Sequence, residues 1–458
     1  MISGMRPLLF LAAIPFLLVP LPAQSPAKLK AELRKMEAAA KRDPDALFKA
    51  GKWAQDKGLT MDARRIFKAV LKIDPNHEGA NTALGNRLYE GKWLPEKEVE
   101  ELRKKAMRAE YQAKGWVEVD GVFVPPDEVQ DAKKGIFHHG SEIVSRAEKL
   151  EFLAGARRHP ITGEIVPAAE IEQAGKGLFK IAAGKWVPAE EANRFHQNPE
   201  HPWLYRTNYF TLVSTLSLDT LDKVKLSVDQ AYETVSRFLG GVAPKPNHRP
   251  GIFVAATRDE YMSLGQSIGD ETSAYGAFLC AERARLKLPF QDEVRAAACN
   301  WAEKGWGEYY AMHAAGLAYL SSLLQDIGGE VPLWFEHAFG SYASRFPNST
   351  ISGFFGELHI QKGGVRNLKS WFHSYGINGE MESKDIDYNI YQAGLMLAYA
   401  TSGADPKVTD AMLAITKRFA DGKGQGLDKD VSRLEDLLVA HEKDIQAFLQ
   451  KLAANKDR

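Results

Sequence analysis

Apolar and polar residues in the second half of the chain alternate in blocks that predict strands and helices in turn. The run YFTLVSTLS from Tyr209 is strand-like, and an amphipathic helix over Leu221–Leu239 follows it. RPGIFVAATRDEYMSL from Arg249 predicts a strand leading into a helix, and SAYGAFLC over Ser273–Cys280 predicts a strand before a long apolar helix around His313. The remaining pattern is mainly helical and ends in one amphipathic helix, LEDLLVAHEKDIQAFLQKL. This succession predicts an α+β domain.

A short motif recurs four times in the middle of the chain. Each copy has a Gly, an apolar pair beginning two positions later, a Pro, and a Glu three residues after the Pro. The copies are GKWLPEKE at Gly91, GVFVPPDE at Gly121, GEIVPAAE at Gly163 and GKWVPAEE at Gly184. The Gly closes a turn, the apolar pair makes a short strand, and the Pro opens a helix whose first turn the Glu stabilises. The motif therefore predicts small strand-turn-helix units.

The aromatic residues of these units have two interpretations. They are expected to form miniature cores, and the alternative is a stacking platform for sugar or peptide. The residues concerned are Trp93, Trp116, Phe123 and Trp186.

A helical pattern precedes the motif. Counted from Pro44, four residues fall at positions 8, 20, 24 and 32 of a 34-residue repeat, namely Gly51, Ala63, Phe67 and Pro75. This spacing resembles the tetratricopeptide repeat, a pair of helices. The pattern resumes for half a repeat at Leu84, Gly85 and Leu88. About one and a half repeats are too few to be stable alone, so we expect this region to pack against a neighbouring domain or a partner. The alternative to a tetratricopeptide repeat is a plain helical hairpin.

The stretch WGEYYAMHAAGLAYL around His313 contains one of the two histidines of a zinc-peptidase helix. In H-E-x-x-H, two His residues at i and i+4 share one helical face and bind zinc, and the Glu activates the bound water. Here Ala314 stands at the position of the general base and Leu317 at that of the second zinc ligand.

The segment PLWFEHAFGSY lies where such a site takes its third ligand. Glu336 follows His313 by 23 residues, the interval at which gluzincin-type peptidases place a glutamate ligand on the next helix. The flanking residues resemble that family's P-x-W-x-x-E-G-x-A-x-Y stretch, with His337 in place of the Gly; they are Pro332, Trp334, Ala338 and Tyr342. From about Tyr205 to Leu452 the chain resembles the peptidase-MA-like module of bacterial secreted proteins.

The resemblance implies a zincin-like α+β domain with remnant metal ligands at His313 and Glu336. His337 adjoins Glu336 about 100° round the helix, so both are not expected to reach one metal. A catalytic zinc normally needs three protein ligands, so no catalytic residue and no cofactor are expected, with zinc bound only if the site is still active. The alternative for His313 is an ordinary packed histidine. The resemblance also implies a cleft or partner surface, for which the candidates are Tyr275, Phe278, Trp334, His337 and Tyr342.

Charge and cysteine content limit the remaining possibilities. Lys plus Arg equals Asp plus Glu at 59 each, so the balance gives no reason to expect a nucleic acid as partner. Residues 1–23 have the charge, apolar run and small-residue stop of a secretory signal peptide, which implies a periplasmic or extracellular location and no transmembrane segment after cleavage. In that compartment Cys280 and Cys299 are able to form a disulfide, and two buried thiols are the alternative.

We therefore expect an exported α+β protein in four parts: a signal peptide (1–23), a tetratricopeptide-like helical region (27–112), a strand-turn-helix repeat spacer (113–200) and a peptidase-MA-like domain that has lost catalysis (201–458). The expected function is the binding or scaffolding of a protein, a peptide or a cell-envelope component. One alternative is an active zinc peptidase with non-standard ligands. The other is a purely architectural envelope protein.

Overall fold

The computed structural model describes residues 26–238, 246–267, 277–280, 296–302, 305–375 and 386–455. This part of the chain is mostly helical with several small sheets, which agrees with the expected α+β class. Contacts divide the chain into two compact units, one ending at Val117 and the other covering Glu118–Arg458. The signal-peptide prediction falls outside the described residues.

The first unit contains helices and one hairpin. Its elements are α1 (Pro26–Ala40), α2 (Pro44–Asp56), α3 (Thr60–Ile73), α4 (Glu78–Ala83), β1 (Asn86–Tyr89), β2 (Lys92–Pro95) and α5 (Glu96–Ala113). Helices α2 and α3 pack closely because Gly51 has no side chain: a Cβ there would lie 2.5 Å from the Phe67 ring. The helix pair expected from the spacing is confirmed, and its assignment to the tetratricopeptide family stays a prediction.

The expected half repeat does not continue as a helix. Leu84 follows the end of α4, and Gly85 takes a φ of +82°, a left-handed conformation that glycine adopts easily. Leu88 then lies in strand β1, paired with Trp93 across the hairpin. The turn at Gly85 therefore ends the helical pattern one residue after the predicted restart.

Four hairpins, each followed by a helix, come after α5, and all their residues except Val117 belong to the second unit. The strands are β3 (Val117–Val119), β4 (Val122–Val124), β5 (Phe137–His139), β6 (Glu142–Val144), β7 (Arg157–Arg158), β8 (Ile165–Val166), β9 (Phe179–Lys180) and β10 (Trp186–Val187). The helices are α6 (Val129–Ala132), α7 (Arg146–Leu153), α8 (Ile171–Gly175) and α9 (Ala189–His196). With β1, β2 and α5 they confirm all four predicted strand-turn-helix units.

The structure adds a fifth unit that the motif missed. Its second strand and helix are formed by GSEIVSRAE, where Ser145 replaces the Pro. The Ser145 hydroxyl accepts the Glu148 backbone N–H and the Glu148 carboxylate accepts the Ser145 backbone N–H, which is a capping box. Ser and Pro thus start these helices in different ways, and a motif that requires Pro overlooks the Ser version.

The aromatic residues of these units differ in burial. Phe123 is buried, whereas Trp93, Trp116 and Trp186 are each half-buried. The Trp116 ring stacks on Tyr111 with its centroid 4.8 Å away. Phe123 is thus buried without belonging to the apolar cluster around Val122 and Val124, and the three tryptophans each keep one part accessible.

A five-stranded sheet forms the centre of the second unit. Its strands are β11 (Trp203–Arg206), β12 (Thr211–Ser214), β13 (Gly251–Ala255), β14 (Ala277–Cys280) and β15 (Ala296–Asn300). The spatial order is β11-β12-β13-β15-β14, with β12, β13 and β15 parallel and both edge strands antiparallel to their neighbours. Sequence patterning missed β15, because AAACN lacks the β-branched and aromatic residues typical of strands.

Ten helices complete the described part of this unit. They are α10 (Leu218–Phe238), α11 (Arg258–Ser267), α12 (Gly307–Ile327), α13 (Leu333–Arg345), α14 (Ser349–Gln361), α15 (Leu368–Tyr375), α16 (Ile386–Thr401), α17 (Pro406–Ala420), α18 (Leu427–Ala440) and α19 (Glu442–Ala453). Helix α12 packs on β14 and β15, and α13 lies between α12 and α16. The predicted single closing helix is two helices, which break at His441. Within the described residues no helix combines the length and apolarity needed to cross a membrane.

A network of arginines and glutamates ties the hairpins to the sheet. Glu142 on β6 accepts hydrogen bonds from Arg158 (3.0 Å), Arg206 (3.2 Å) and Arg249 through one carboxylate oxygen. Glu148 on α7 accepts from Arg158 and Arg206 as well. Burial acts to raise the pKa of Glu142, but the three guanidinium charges outweigh it and hold the pKa below its ordinary value.

Replacing Glu142 by Gln leaves three half-buried guanidinium groups around a neutral amide. Since removing one member of a buried ion-pair network costs about 3–5 kcal/mol, and these groups keep some exposure, we expect the free energy of unfolding to fall by about 2–4 kcal/mol. Urea denaturation of E142Q measures this, with E200Q at an exposed position as the matched control. A loss of stability equal to that of E200Q would contradict the structural role of the network.

Candidate functional site

The site predicted from the sequence lies where helices α12 and α13 cross. Their backbones approach closely because both helices carry glycine at the crossing. A Cβ on Gly316 would lie 2.7 Å from the Phe339 carbonyl oxygen and 2.8 Å from the Gly340 Cα. A Cβ on Gly340 would lie 2.7 Å from the His313 ring. The two glycines therefore let α13 sit directly on the imidazole of His313.

His313 and His337 contact each other at this crossing. Nε2 of His313 and Nδ1 of His337 lie 3.2 Å apart, which is hydrogen-bonding distance. His313 is fully buried and His337 nearly so. His337 faces α12 because Gly340, three residues further on, lies on the same side of α13.

The surroundings of the pair disfavour positive charge. Burial, followed by the charges of His337 and Arg345, lowers the pKa of His313 well below its ordinary value. Ala314 and Leu317, which stand at the positions of the base and the second ligand, are buried in the same apolar core. The His313 imidazole is thus placed as a neutral group that shares a hydrogen bond with His337.

The described residues do not complete a catalytic zinc site. A separation of 3.2 Å also suits two nitrogens on one zinc, since tetrahedral Zn–N bonds of about 2.0–2.1 Å place them about 3.3 Å apart. However, among these residues no group of three or more His, Cys, Asp or Glu side chains is arranged to hold a metal. Glu336, half-buried in the first turn of α13, is therefore not grouped with the two histidines. His313 contacts His337, a pairing that the sequence did not predict, and the role of Glu336 as a remnant ligand stays a prediction.

Two of the residues predicted to form a cleft or partner surface are buried instead, and one of them is His337, whose place at the helix crossing contradicts the prediction. Trp334 is buried, and its indole N–H donates to the Glu435 carboxylate at 2.6 Å. Because Trp334 packs among Phe335, Phe372 and other core side chains, its prediction as a surface residue is wrong. Tyr342 is half-buried, with its ring parallel to that of Phe346.

The other two candidates lie on or before β14. Phe278 is on β14, the edge strand beside α12. The structure describes the backbone of Phe278 but not its side chain. Tyr275 lies outside the described residues. The expectation that this segment lines a cleft stays a prediction.

Cys299 is a free, fully buried thiol, so the predicted disulfide does not form in this structure. The strand register explains why. Cys280 stands opposite Ala296 and Cys299 opposite Ala277, an offset of three residues along an antiparallel pair. Three residues of strand span about 10 Å, whereas a disulfide needs Cα atoms within about 7 Å.

The sequence did not predict a cavity that the structure places at the end of α13. It lies between the start of α12, the end of α13, α14 and the start of α16, and Arg345 and His359 both line it. Burial lowers the pKa of His359 to about 3; the charges of Arg366 and Lys362 act in the same direction, against a hydrogen bond with Gln392 that raises the pKa. A lone Arg at the end of the apolar run FEHAFGSYASR was the signal available in the sequence.

A scan of protein-family models gives no match to this chain. A search of curated proteins gives no significant match either.

We expect Gly316→Ala to destabilise the fold by at least about 2 kcal/mol, because backbone atoms of α13 cannot move aside as a flexible side chain would. Gly175→Ala is the matched control, a helical glycine with open space around it, and it should be neutral or stabilise by up to about 1 kcal/mol. Thermal and urea unfolding of both variants measure the difference. Equal stability of the two would argue against the close crossing.

Acid should destabilise this protein through its buried histidines. Below the ordinary histidine pKa of 6.5 the unfolded chain binds a proton at residue 359 that the folded chain, with a pKa of about 3, does not bind. His359 alone therefore lowers the free energy of unfolding by about 1.4 kcal/mol for each unit that the pH falls between 6 and 4. His359→Gln should make this slope shallower by that amount, with measurements above pH 7.5 as the reference. An unchanged slope would refute the assignment.

Proposed function

We propose that the second unit contains a metallopeptidase-like domain that has lost zinc catalysis and serves to bind a protein or peptide. The observation that carries this proposal is the direct contact of His313 and His337. It engages the one histidine retained from the resemblance in a buried hydrogen bond, with Ala314 and Leu317 in place of the base and the second ligand.

The arrangement around the pair supports a peptidase-like origin. A mixed sheet has its antiparallel edge strand, β14, next to the helix of His313. The helix that carries Glu336 follows α12 directly and packs along it. An edge strand leaves main-chain donors and acceptors free to pair with an extended peptide, which is a common mode of peptide binding.

The regions before this domain add binding surface to the proposed scaffold. The tetratricopeptide-like helices and the hairpin units are repeated elements of the kind that present extended surfaces to a partner. Residues 1–23 support export to the periplasm or beyond, which makes a cell-envelope protein or peptide the proposed partner.

One observation favours a second candidate, an active zinc peptidase. The 3.2 Å separation of the two imidazole nitrogens suits a shared zinc ion as well as a hydrogen bond. Such an enzyme would need a third ligand and a general base from another part of the chain.

Zinc content separates the two candidates. We expect the chain without residues 1–23 to hold no stoichiometric zinc after dialysis against zinc and then buffer, because two nitrogens alone bind it weakly. We expect H313Q to lower the free energy of unfolding by about 1–3 kcal/mol, since His337 loses its buried partner, and a chelator should not change the stability of the wild type.

Mass spectrometry for zinc and thermal unfolding with and without chelator make these measurements. H441Q, at the break between α18 and α19, controls for loss of a histidine elsewhere. One tight zinc per chain, lost in both H313Q and H337Q, would instead establish the peptidase candidate.

A further inference from the structure

The cavity lined by Arg345 and His359 has the composition of a ligand site. Its volume is about 320 Å³, at the lower end of the range for small-molecule pockets. The described residues that line it are Trp306, Tyr310, Arg345, Phe355, Leu358, His359, Lys362, Asp387, Tyr388 and Tyr391. Half of them are aromatic residues other than histidine.

The aromatic walls are held in place by packing and by main-chain hydrogen bonds. The Tyr391 hydroxyl donates to the Ser352 carbonyl at 3.1 Å, and the Tyr388 hydroxyl donates to the Gly364 carbonyl. The Phe355 ring lies 6.2 Å from that of Tyr391. Because both hydroxyls are occupied, these residues present fixed ring surfaces to an apolar group.

Positive charge is concentrated around these walls. Arg345 is 2% exposed, and its guanidinium carbon lies 4.9 Å from the centre of the Phe355 ring. Lys362 lies at the exposed side of the cavity, and the Arg366 guanidinium lies 4.2 Å from the centre of the Tyr388 ring. Among the described lining residues, Asp387 is the one carboxylate.

His359 supplies a further flat surface without charge. Its ring stacks on that of Tyr388 with centroids 3.9 Å apart, and its lowered pKa keeps it neutral near pH 7. The cavity therefore joins an apolar interior to two lining cations and a third close by.

We propose that this cavity binds an aromatic or apolar group carrying one carboxylate, with Arg345 and Lys362 facing the carboxylate and the aromatic walls holding the apolar part. Arginine suits this role because its planar donors match a carboxylate. The inference rests on the proposed binding function and names the chemistry of its ligand. Two sources supply this chemistry: the C-terminal residue of a peptide and a free small acid.

Calorimetry with paired probes tests the carboxylate. N-acetyl-L-phenylalanine should bind the chain lacking residues 1–23 at least tenfold more tightly than N-acetyl-L-phenylalaninamide, which has the same ring and no charge. No binding of the acid up to about 10 mM, the range of very weak ligands, or equal binding of acid and amide would overturn the proposal.

A second pair of probes identifies the source. N-acetyl-Ala-Ala-Phe with a free C-terminus should bind at least as tightly as N-acetyl-L-phenylalanine if the site takes peptide termini, and its C-terminal amide should not. Binding of the single residue with exclusion of the tripeptide would assign the same chemistry to a free small acid.

Variants at the rim connect the binding to this cavity. Lys362→Glu and Leu358→Glu each bring negative charge to the rim and should weaken binding of the acid about tenfold. Lys407→Glu and Leu413→Glu, on the exposed face of α17, are the matched controls and should change it by less than about twofold. Wild-type affinity in both rim variants would place the binding elsewhere and overturn the proposal.

The result is separable from the test of the proposed function. Stoichiometric zinc at His313 would remove the non-catalytic function and leave the preference for acid over amide intact. A zinc-free protein with no such preference would remove the cavity proposal alone.

Discussion

The close crossing of α12 and α13 is the constraint on which the rest of the candidate site depends. Gly316 and Gly340 let the helix backbones touch, and a methyl group at either position would collide with the opposite helix. At this distance His313 has no room for solvent, and its ring packs against Gly340. Burial then decides its chemistry, since a desolvated imidazole stays neutral and requires a hydrogen-bonding partner. His337 meets that requirement.

The sequence predicted the elements of this domain better than the contacts between them. Strands β12 and β13 and helices α10, α11 and α12 follow in the expected order because each is marked by an apolar run or an amphipathic pattern. The interval of 23 residues from His313 to Glu336 correctly indicated a second helix beside the first. An interval along the chain does not define which helical face turns inward, and one residue shifts a side chain by about 100°. Gly340 packs against His313 and so defines the face of α13 that turns toward α12. His337 lies on that face and contacts His313.

In the hairpin units, too, the sequence predicted local elements but not the contacts between residues far apart in the chain. A motif of five defined positions predicted four units, because turn glycines and helix-opening prolines act locally. The motif did not predict the fifth unit, because Ser145 starts the helix of that unit by a capping box and not by a Pro. Glu142 of that unit bonds to Arg249, which is 107 residues away. Contacts of this kind depend on the folded arrangement, so the periodicity of apolar residues along the chain does not predict them.

Arg345 lines the cavity and also acts electrostatically on His313. Its charge is one of the reasons that the pKa of His313 is low, which means that the field at the imidazoles opposes added positive charge. A field that opposes a proton also opposes a zinc ion, which carries twice the charge. The same guanidinium lines the cavity, where it is proposed to face a carboxylate. The two proposals, no metal at the pair and a carboxylate in the cavity, therefore depend in part on the same buried cation at the end of α13.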